Sequence, residues 1–546
     1  MSDSAPTSVS PTTTQKTGLW SVLNNRLFRS LWLANVASGI GSAMHDTAAV
    51  WTMTTLTTSA TLVTLMQSMS SLPLFLLALP AGALADIVDR RRVIITAQIV
   101  ALIVTAVLFF FAWAGGLSPG LLLGITFLLG ITVAFTTPAW SAVLAEIVEK
   151  KELPGALTLG SVAVNISRAI GPMVAGIILA SASPAAAFLL NGLSFLGIII
   201  VLWKWKGPAA PVGAHSERML GAMVTALRFT RHSPVIQAVL ARNGLFAFFA
   251  IAPAALLPLI VRGKNLAAAD FGLFMSAYGI GGIITALFLL PKFRAKFSPD
   301  QILFGSTLIF SAFAMALSFL GHRLLMAPTL FVLGSSWITC MSTLSVAAQS
   351  SFPNWVRARS SAVHLIVVQG SLALGAFMWG QITVAYNADF ALRVAAGGLL
   401  LTLGLTKWLA VNRAMQLDLT PSTHWHDHQL AVEPGDDDGP VVITVHYQVP
   451  AENVTAFMDA IAKLRVIRLR DGAFFWAVSE DLEQPGNFLE TFHVGSWGEH
   501  LRQHQRATED DHKVEETVLS LHGHEDAAPP KVTHHLMKNV RQLKAK

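Results

Sequence analysis

Two groups of charged residues stand where charge does unusual chemistry. Asp46 lies inside the apolar stretch GSAMHDTAAVW, and Arg168 inside NISRAIGPMVAG. A charge at the centre of a bilayer costs about 2.5–3.5 kcal/mol on insertion scales, so such residues face a cavity or a partner. Burial favours the neutral carboxylic acid, which makes Asp46 a candidate for reversible protonation. Arg168, at an expected similar depth, is the candidate partner. Proton coupling and a static Asp46–Arg168 pair that only joins helices are the two readings of these residues. His45 beside Asp46 reads as a packing or lining residue.

The second group is GALADIVDRRR, Gly82 to Arg92, where two aspartates and three arginines share seven residues. Gly82 permits close approach of a neighbouring helix. Asp86 is suited to accept backbone N–H groups at a nearby helix start, where the macrodipole favours negative charge. Arg90 or Arg91 can pair with Glu146 or Glu149. Together these residues make a cytoplasmic gate, a latch that holds while that side is closed. The simpler reading is that the charges only fix topology, but acidic residues contribute little to orientation.

The elements around these residues follow from composition. Of 546 residues 53% are hydrophobic and 13% charged, about half the charged share of a soluble domain. Apolar runs long enough to span a bilayer fall at 29–56, 62–85, 93–115, 120–145, 156–181, 184–205, 235–261, 270–293, 299–320, 324–350, 359–386 and 389–411. The fold class is therefore an all-α membrane protein of twelve spans with a small α+β domain at its end. The net charge of +6 resides mostly in short loops, so it speaks for orientation and against nucleic-acid binding. Arg26, Arg29, Arg90 to Arg92, Lys150, Lys151, Arg228, Arg231, Lys292, Arg294 and Lys296 mark one side, which places both termini and the central loop in the cytoplasm. The single cysteine, Cys340, excludes an intrachain disulfide.

An offset of 204 positions carries Gly130 to Gly334, Gly171 to Gly375, Gly176 to Gly380 and Asn165 to Gln369. It also carries Arg90 to Arg294 and Arg92 to Lys296. Two parallel six-helix repeats are expected, an arrangement associated with transporters. The expected domains are a disordered tail at 1–25, a bundle at 26–205, a central loop at 206–234, a second bundle at 235–413, a linker at 414–440 and a domain at 441–546. In that last stretch VVITVHYQV, AFFWAVSE, NFLETFHVGS and KVTHHLM read as strands, and AENVTAFMDAIAKLRVI and SWGEHLRQHQRAT as helices. Their order is the β-α-β-β-α-β, ferredoxin-like pattern.

The charged turn, with twelve spans and a repeated half, resembles the major facilitator superfamily. That family's turn reads Gly-x-x-x-Asp-Arg/Lys-x-Gly-Arg-Arg/Lys. Gly82, Asp86, Arg90 and Arg91 match it, while Ile87 and Asp89 depart from it. With PAW in segment 4 and SRAIGP in segment 5, the chain is most similar to the enterobactin-exporter-like, transmembrane secretion effector branch. The resemblance implies that Asp86 meets the start of segment 11 near Arg359 and Ser360. It also implies a Gly-Pro-x-x-Gly-Gly exchange motif at Gly171, Pro172 and Gly176, with Ala175 departing from it. The tail resembles antibiotic biosynthesis monooxygenase-like, dimeric α+β barrel modules through DGAFFW, FLETF and SWGEHLRQH. That likeness implies a homodimer through the C-terminal domain, in a regulatory or pairing role rather than catalysis.

Gly171, Pro172 and Gly176 also suit close packing against the YGIGG face of segment 8. Cavity or substrate candidates are Asn35, Gln67, Trp140, Asn165, Arg242, Gln349, His364 and Gln369, with Arg242 and His364 near enough to the cytoplasmic ends to reach outward. Met and Trp side chains favour a bulky amphipathic solute. His500 and His504 have zinc-compatible spacing, but without a third ligand a solvated helix face is the expectation, and His424, His426 and His428 are unspecific. No catalytic residue, metal or cofactor is expected. The function these features imply is proton-coupled export of a small molecule (a drug, siderophore or secondary metabolite) across the bacterial inner membrane. The competing readings are a membrane-anchored monooxygenase-like enzyme and proton-coupled uptake.

Overall fold

The computed structural model describes residues 21–149, 151–205, 219–353, 355–422, 434–523 and 529–538. The first helices are α1 (Arg26–Leu56), α2 (Ala60–Ile87), α3 (Arg90–Trp113), α4 (Pro119–Ile147), α5 (Leu153–Ser181) and α6 (Pro184–Lys204). Their starts are written in the sequence. Asn25 and Asp89 cap α1 and α3 by accepting backbone N–H groups, and Ser118 caps α4 ahead of Pro119. The central stretch expected as a loop contains a helix, α7 (Met219–Arg231).

Then come α8 (Pro234–Ala250) and α9 (Ala252–Gly263), which together form one span interrupted at Ile251, two residues before Pro253. Proline removes a helix donor and bends the chain there. The indole of Trp379 donates to the Phe248 carbonyl at 2.8 Å, one turn ahead of that bend. Next, α10 (Ala268–Ile284) passes through a π-turn at Thr285–Leu289 into α11 (Leu290–Lys296), which contains Pro291. A π-bulge relieves the clash that proline causes inside a helix. The membrane helices end with α12 (Pro299–Phe319), α13 (Arg323–Ser350), α14 (Arg357–Ala385) and α15 (Ala388–Thr402).

Among the described residues eleven helical stretches are long and apolar enough to cross a membrane. Each lies within a few residues of an expected span. Helix α1 is long enough, at 31 residues, but Asn35, His45, Asp46 and a run of threonines make it too polar to join them.

The C-terminal region is a four-stranded antiparallel sheet of β1 (Val441–Gln448), β2 (Phe475–Glu480), β3 (Asn487–Val494) and β4 (Lys531–Leu536), in the order β2-β3-β1-β4. Helices α16 (Val454–Asp471), α17 (Trp497–Arg506) and α18 (Glu509–Leu519) complete it; α18 was not expected. Ile443, Val445 and Tyr447 of β1 and Phe488 and Phe492 of β3 bury their side chains against Phe457, Ile461 and Leu464 of α16. Glu490, fully buried on the same face, accepts from Tyr447 Oη, Trp476 Nε1 and Arg468 Nε.

The chain forms two compact units whose division does not follow chain order. The first comprises Met1–Thr58, Pro80–Val212 and Val261–Ile283. The second comprises Ser59–Leu79, Gly213–Ile260 and Ile284–Lys546. Most of α10 thus belongs with α1 and α3 to α6, and the first part of α2 belongs with α14.

Candidate functional site

At the charged turn only Val88 and Asp89 separate α2 from α3. Asp89 Oδ1 accepts from the Arg91 N–H at 3.0 Å, so the residue that departs from the family pattern is the cap that starts α3. Arg90 Nη1 meets Glu146 Oε1 at 2.5 Å, with about a third of each side chain exposed. Arg91 has a different role. Its Nε and Nη2 donate to the carbonyls of Leu202 and Trp203, at 2.7 and 2.9 Å, where a cation suits the C-terminal end of α6. Among the described residues nothing lies within 4 Å of the position a Gly82 Cβ would take, so the expected close helix approach is absent there. The side chain of Asp86 lies outside the described residues.

In the first unit the Asp46–Arg168 pair does not form. Helices α1 and α5 pack through small residues: a Cβ at Gly171 would stand 2.5 Å from that of Ala43, and one at Gly39 would collide with the Ser167 hydroxyl. This register puts Ala43 level with Gly171, and the two helices run parallel. Asp46 is then three residues above that level and Arg168 three below, a separation of about 9 Å along the axis at 1.5 Å per residue. Arg168 also belongs to another seam. A Cβ at Gly279 of α10 would come within 2.5 Å of the Arg168 carbonyl. Asp46 is exposed between the buried residues His45 and Thr47. Asn35, half-buried, stands three turns earlier on the same face. His45 points elsewhere, with its ring 5.1 Å from that of Phe188.

The Gly-Pro motif packs on α10, within the same unit. Positions for Cβ atoms at Gly272 would fall 2.6 Å from the Pro172 carbonyl, and at Gly176 3.1 Å from the Gly272 Cα. Only glycine fits at 272, and a side chain at 176 would have to push the facing backbone aside. Trp140 joins two apolar clusters, one around Leu31, Ile94 and Leu202 and one around Phe28 and Leu159. Asn165 donates to the Ser161 carbonyl one turn back.

In the second unit Arg242 reaches the start of α12. It pairs with Asp300, and both side chains are less than one-fifth exposed. Asp300 also accepts from the N–H groups of Val411 and Asn412, at 3.0 to 3.1 Å. The cavity beside Arg242 is about 20 Å³, room for a single water. His364 Nε2 meets the Asn243 amide. Gln349 exchanges hydrogen bonds with Ser361. Gln67 and Gln369 are half-buried. Sequence reading missed Asp300 and Asn243. The Ser-Pro-Asp run at 298–300 was the available signal for the first, since it opens α12 with Ser298 as cap.

His500 and His504 do not lie on a solvated face. His500 is 2% exposed and its Nε2 is 3.0 Å from that of His534 on β4. Burial first, then the neighbouring His504 and His534, push its pKa down to about 3. Among the described residues no group of three His, Cys, Asp or Glu side chains is placed to hold a metal ion. His424, His426 and His428 lie outside the described residues.

The family model described as "Transmembrane secretion effector" matches residues 17–542. The chain is 24% identical to the Staphyloferrin A transporter of Staphylococcus aureus (strain NCTC 8325 / PS 47) over 362 residues, 65% of this chain and 88% of that one. It is 29% identical to the enterobactin exporter EntS of Salmonella typhi over 228 residues, 39% of this chain and about half, 51%, of that protein. Among solved structures, a POT family transporter in complex with 5-aminolevulinic acid aligns over 71% of this chain and 97% of its own, with a TM-score of 0.58 at 11% identity. A bacterial homolog of the human lysosomal transporter Spinster aligns over 72% and 94%, with a TM-score of 0.53 at 13% identity.

Proposed function

Because the chain belongs to the transmembrane secretion effector family of major facilitator transporters, we propose that it exports a bulky amphipathic small molecule, of the siderophore class, across the bacterial inner membrane by alternating access driven by protons. The protein is a multi-pass membrane transporter related to siderophore exporters, not an enzyme. In this reading α1 is the twelfth span, both termini are cytoplasmic, and the C-terminal sheet, whose strand order supports a ferredoxin-like module, pairs two copies.

The observation that carries the coupling is Asp46. It is accessible in the middle of a membrane helix and, among the described residues, has no ion-pair partner. A carboxylate at this depth can cross between two environments as the neutral acid without dragging a charge through hydrocarbon. Arg90 and Glu146 form the part of the gate that breaks as the cytoplasmic side opens. The glycine seam of α5 and α10 is a smooth track on which backbone slides on backbone.

Asp46→Asn tests this. Inverted membrane vesicles energised with a proton gradient are expected to accumulate enterobactin when they carry the parent protein, and to lose that uptake with the variant at equal protein level. Full gradient-driven accumulation by the variant removes Asp46 from the coupling. Accumulation in right-side-out vesicles alone would favour uptake as the physiological direction.

A further inference from the structure

The C-terminal domain does not hang free of the membrane helices of its own unit. Trp355 lies in the short connection between α13 and α14, two residues before α14 begins. The Arg506 guanidinium of α17 sits 4.6 Å from its ring centroid. Phe229 of α7 meets the same ring edge-on, with centroids 5.4 Å apart at 84°. The Arg470 guanidinium of α16 sits 5.4 Å from the Phe229 ring centroid. The result is a chain of cation, ring, ring and cation contacts drawn from four separate elements.

Both cations are fixed from behind. Arg506 donates to Glu499 at 2.8 Å and to the Asp471 carbonyl at 2.7 Å. Arg470 is gripped by Asp471 and Asp511, at 2.7 to 3.1 Å. Glu499 then reaches out of the domain, accepting from Arg228 of α7 at 2.7 Å, while Arg228 also donates to the Gly472 carbonyl. Four guanidinium groups meet three carboxylates: Arg228, Arg470 and Arg506 are less than a quarter exposed, like Glu499, Asp471 and Asp511, while Arg502, 3.0 Å from Glu499, is 46% exposed to solvent. Each of the six buried groups has an opposite charge against it, which a dry setting demands because an unmatched group there is heavily penalised.

We propose that the C-terminal domain is an intramolecular brake: docked on Arg228, Phe229 and Trp355, it pins the connection that begins α14 and slows the movement of that helix during transport. The brake rests on the exporter reading above. Helix α14 is the element worth restraining in the exporter reading, because it carries the cavity candidate Gln369 within about four turns of Trp355. Phe352 and Val356, which flank Trp355, are fully buried, and Arg357 donates to the Phe352 carbonyl. A displacement of Trp355 is therefore passed to the helix instead of being absorbed by a slack loop.

Arg228→Gln breaks the docking from outside the domain, and Arg506→Gln breaks it from within. Hydrogen–deuterium exchange on the full-length protein in nanodiscs is expected to quicken about tenfold over residues 352–361 in both variants, the signature of a local opening. The amides of β1 and β3 keep their protection, which shows that the domain stays folded. In proteoliposomes, enterobactin export is expected to rise about fivefold, near the lower end of site-to-site coupling. Unchanged exchange at 352–361, or faster exchange with slower export, overturns the brake. Parent protein inert towards enterobactin, with exchange still rising in the variants, would remove the siderophore reading and leave the restraint on α14 supported.

Discussion

Gly171 and Gly176 of α5 stand 204 positions before Gly375 and Gly380 of α14, and the two pairs make matching contacts. Gly171 presses on Ala43 of α1, the first helix of its half, and Gly375 presses on the Phe248 carbonyl and Ile251, in the first span of the other. Gly176 meets Gly272 of α10, and Gly380 meets Thr64 of α2, each a helix from the opposite half of the sequence. At the charged turn the likeness stops. Asp89 caps α3 and Ser298 caps α12, which sets the offset there at 209 instead of 204. Arg91 therefore corresponds to Asp300, and Arg90 to Pro299, so the expected match of Arg90 with Arg294 fails; Arg294 instead donates to the Ser342 hydroxyl. Both halves tie the start of their third helix to the end of their sixth, with opposite charge: Arg91 gives to carbonyls, Asp300 takes from N–H groups.

The difference separates an anchor from a latch. Arg242–Asp300 is nearly dry and locked by backbone bonds, whereas Arg90–Glu146 is about one-third open to water. An exposed pair is worth about 0–1 kcal/mol, while removing one partner of a buried pair costs about 3–5 kcal/mol. On these magnitudes Arg90–Glu146 is the cheaper of the two pairs to break.

The largest effect expected is that of Asp300→Ala, which strands Arg242 and should lower stability by about 3–5 kcal/mol. A thermal melt in detergent reads it directly, and a melt unchanged from the parent would erase the distinction between anchor and latch. Next comes Gly171→Val, whose methyl groups meet Ala43 and the backbone of Met44; overpacking of this kind costs about 1–3 kcal/mol. Gly375→Val should match it, since the two seams are equivalent, and a large inequality between them would break the symmetry. Arg90→Gln should change stability by less than about 1 kcal/mol while altering the export rate. A drop in the melt as deep as that of Asp300→Ala would show the turn to be structural. The smallest response expected is that of the Glu499 bridge to pH. Burial raises the pKa of Glu499, but its bonds to Arg506 and Arg228 win and hold it below the ordinary 4.5. The bridge is thus complete above that value and lost only as pH falls through the lowered one. Exchange over residues 352–361, corrected for its intrinsic pH dependence, should stay level between about pH 5 and 8.

The spans were legible in the sequence because hydrophobic length is a one-dimensional property. The charges at the turn pointed to a pairing of Arg90 or Arg91 with Glu146 or Glu149, of which Arg90–Glu146 forms, and the small residues pointed to α10, where Pro172 and Gly176 meet Gly272 and not the expected YGIGG face. Depth and register were not. Asp46 and Arg168 share a hydrophobic environment, but the parallel contact of Ala43 with Gly171 fixes their heights, and nothing in either segment alone encodes it. The repeat misled for a related reason: α12 with its connection to α13 is five positions shorter than α3 with its connection to α4, so spans 4 to 6 match 10 to 12 at an offset of 204 while the turn before α12 does not. His500 looked solvated because its cover comes from β4, more than thirty residues away. Helix α7 was hidden in a loop whose purpose appears only when Trp355 and Glu499 are placed beside it.

Cys340, the chain's single thiol, is fully buried beside the hydroxyl groups of Ser306 and Thr307. Maleimide reagents that work from water will pass it by. Any cysteine introduced on an accessible face can therefore carry a spin probe or fluorophore in an otherwise native background, so the motions of the turn and of α14 can be followed without first stripping the protein of its own sulfur.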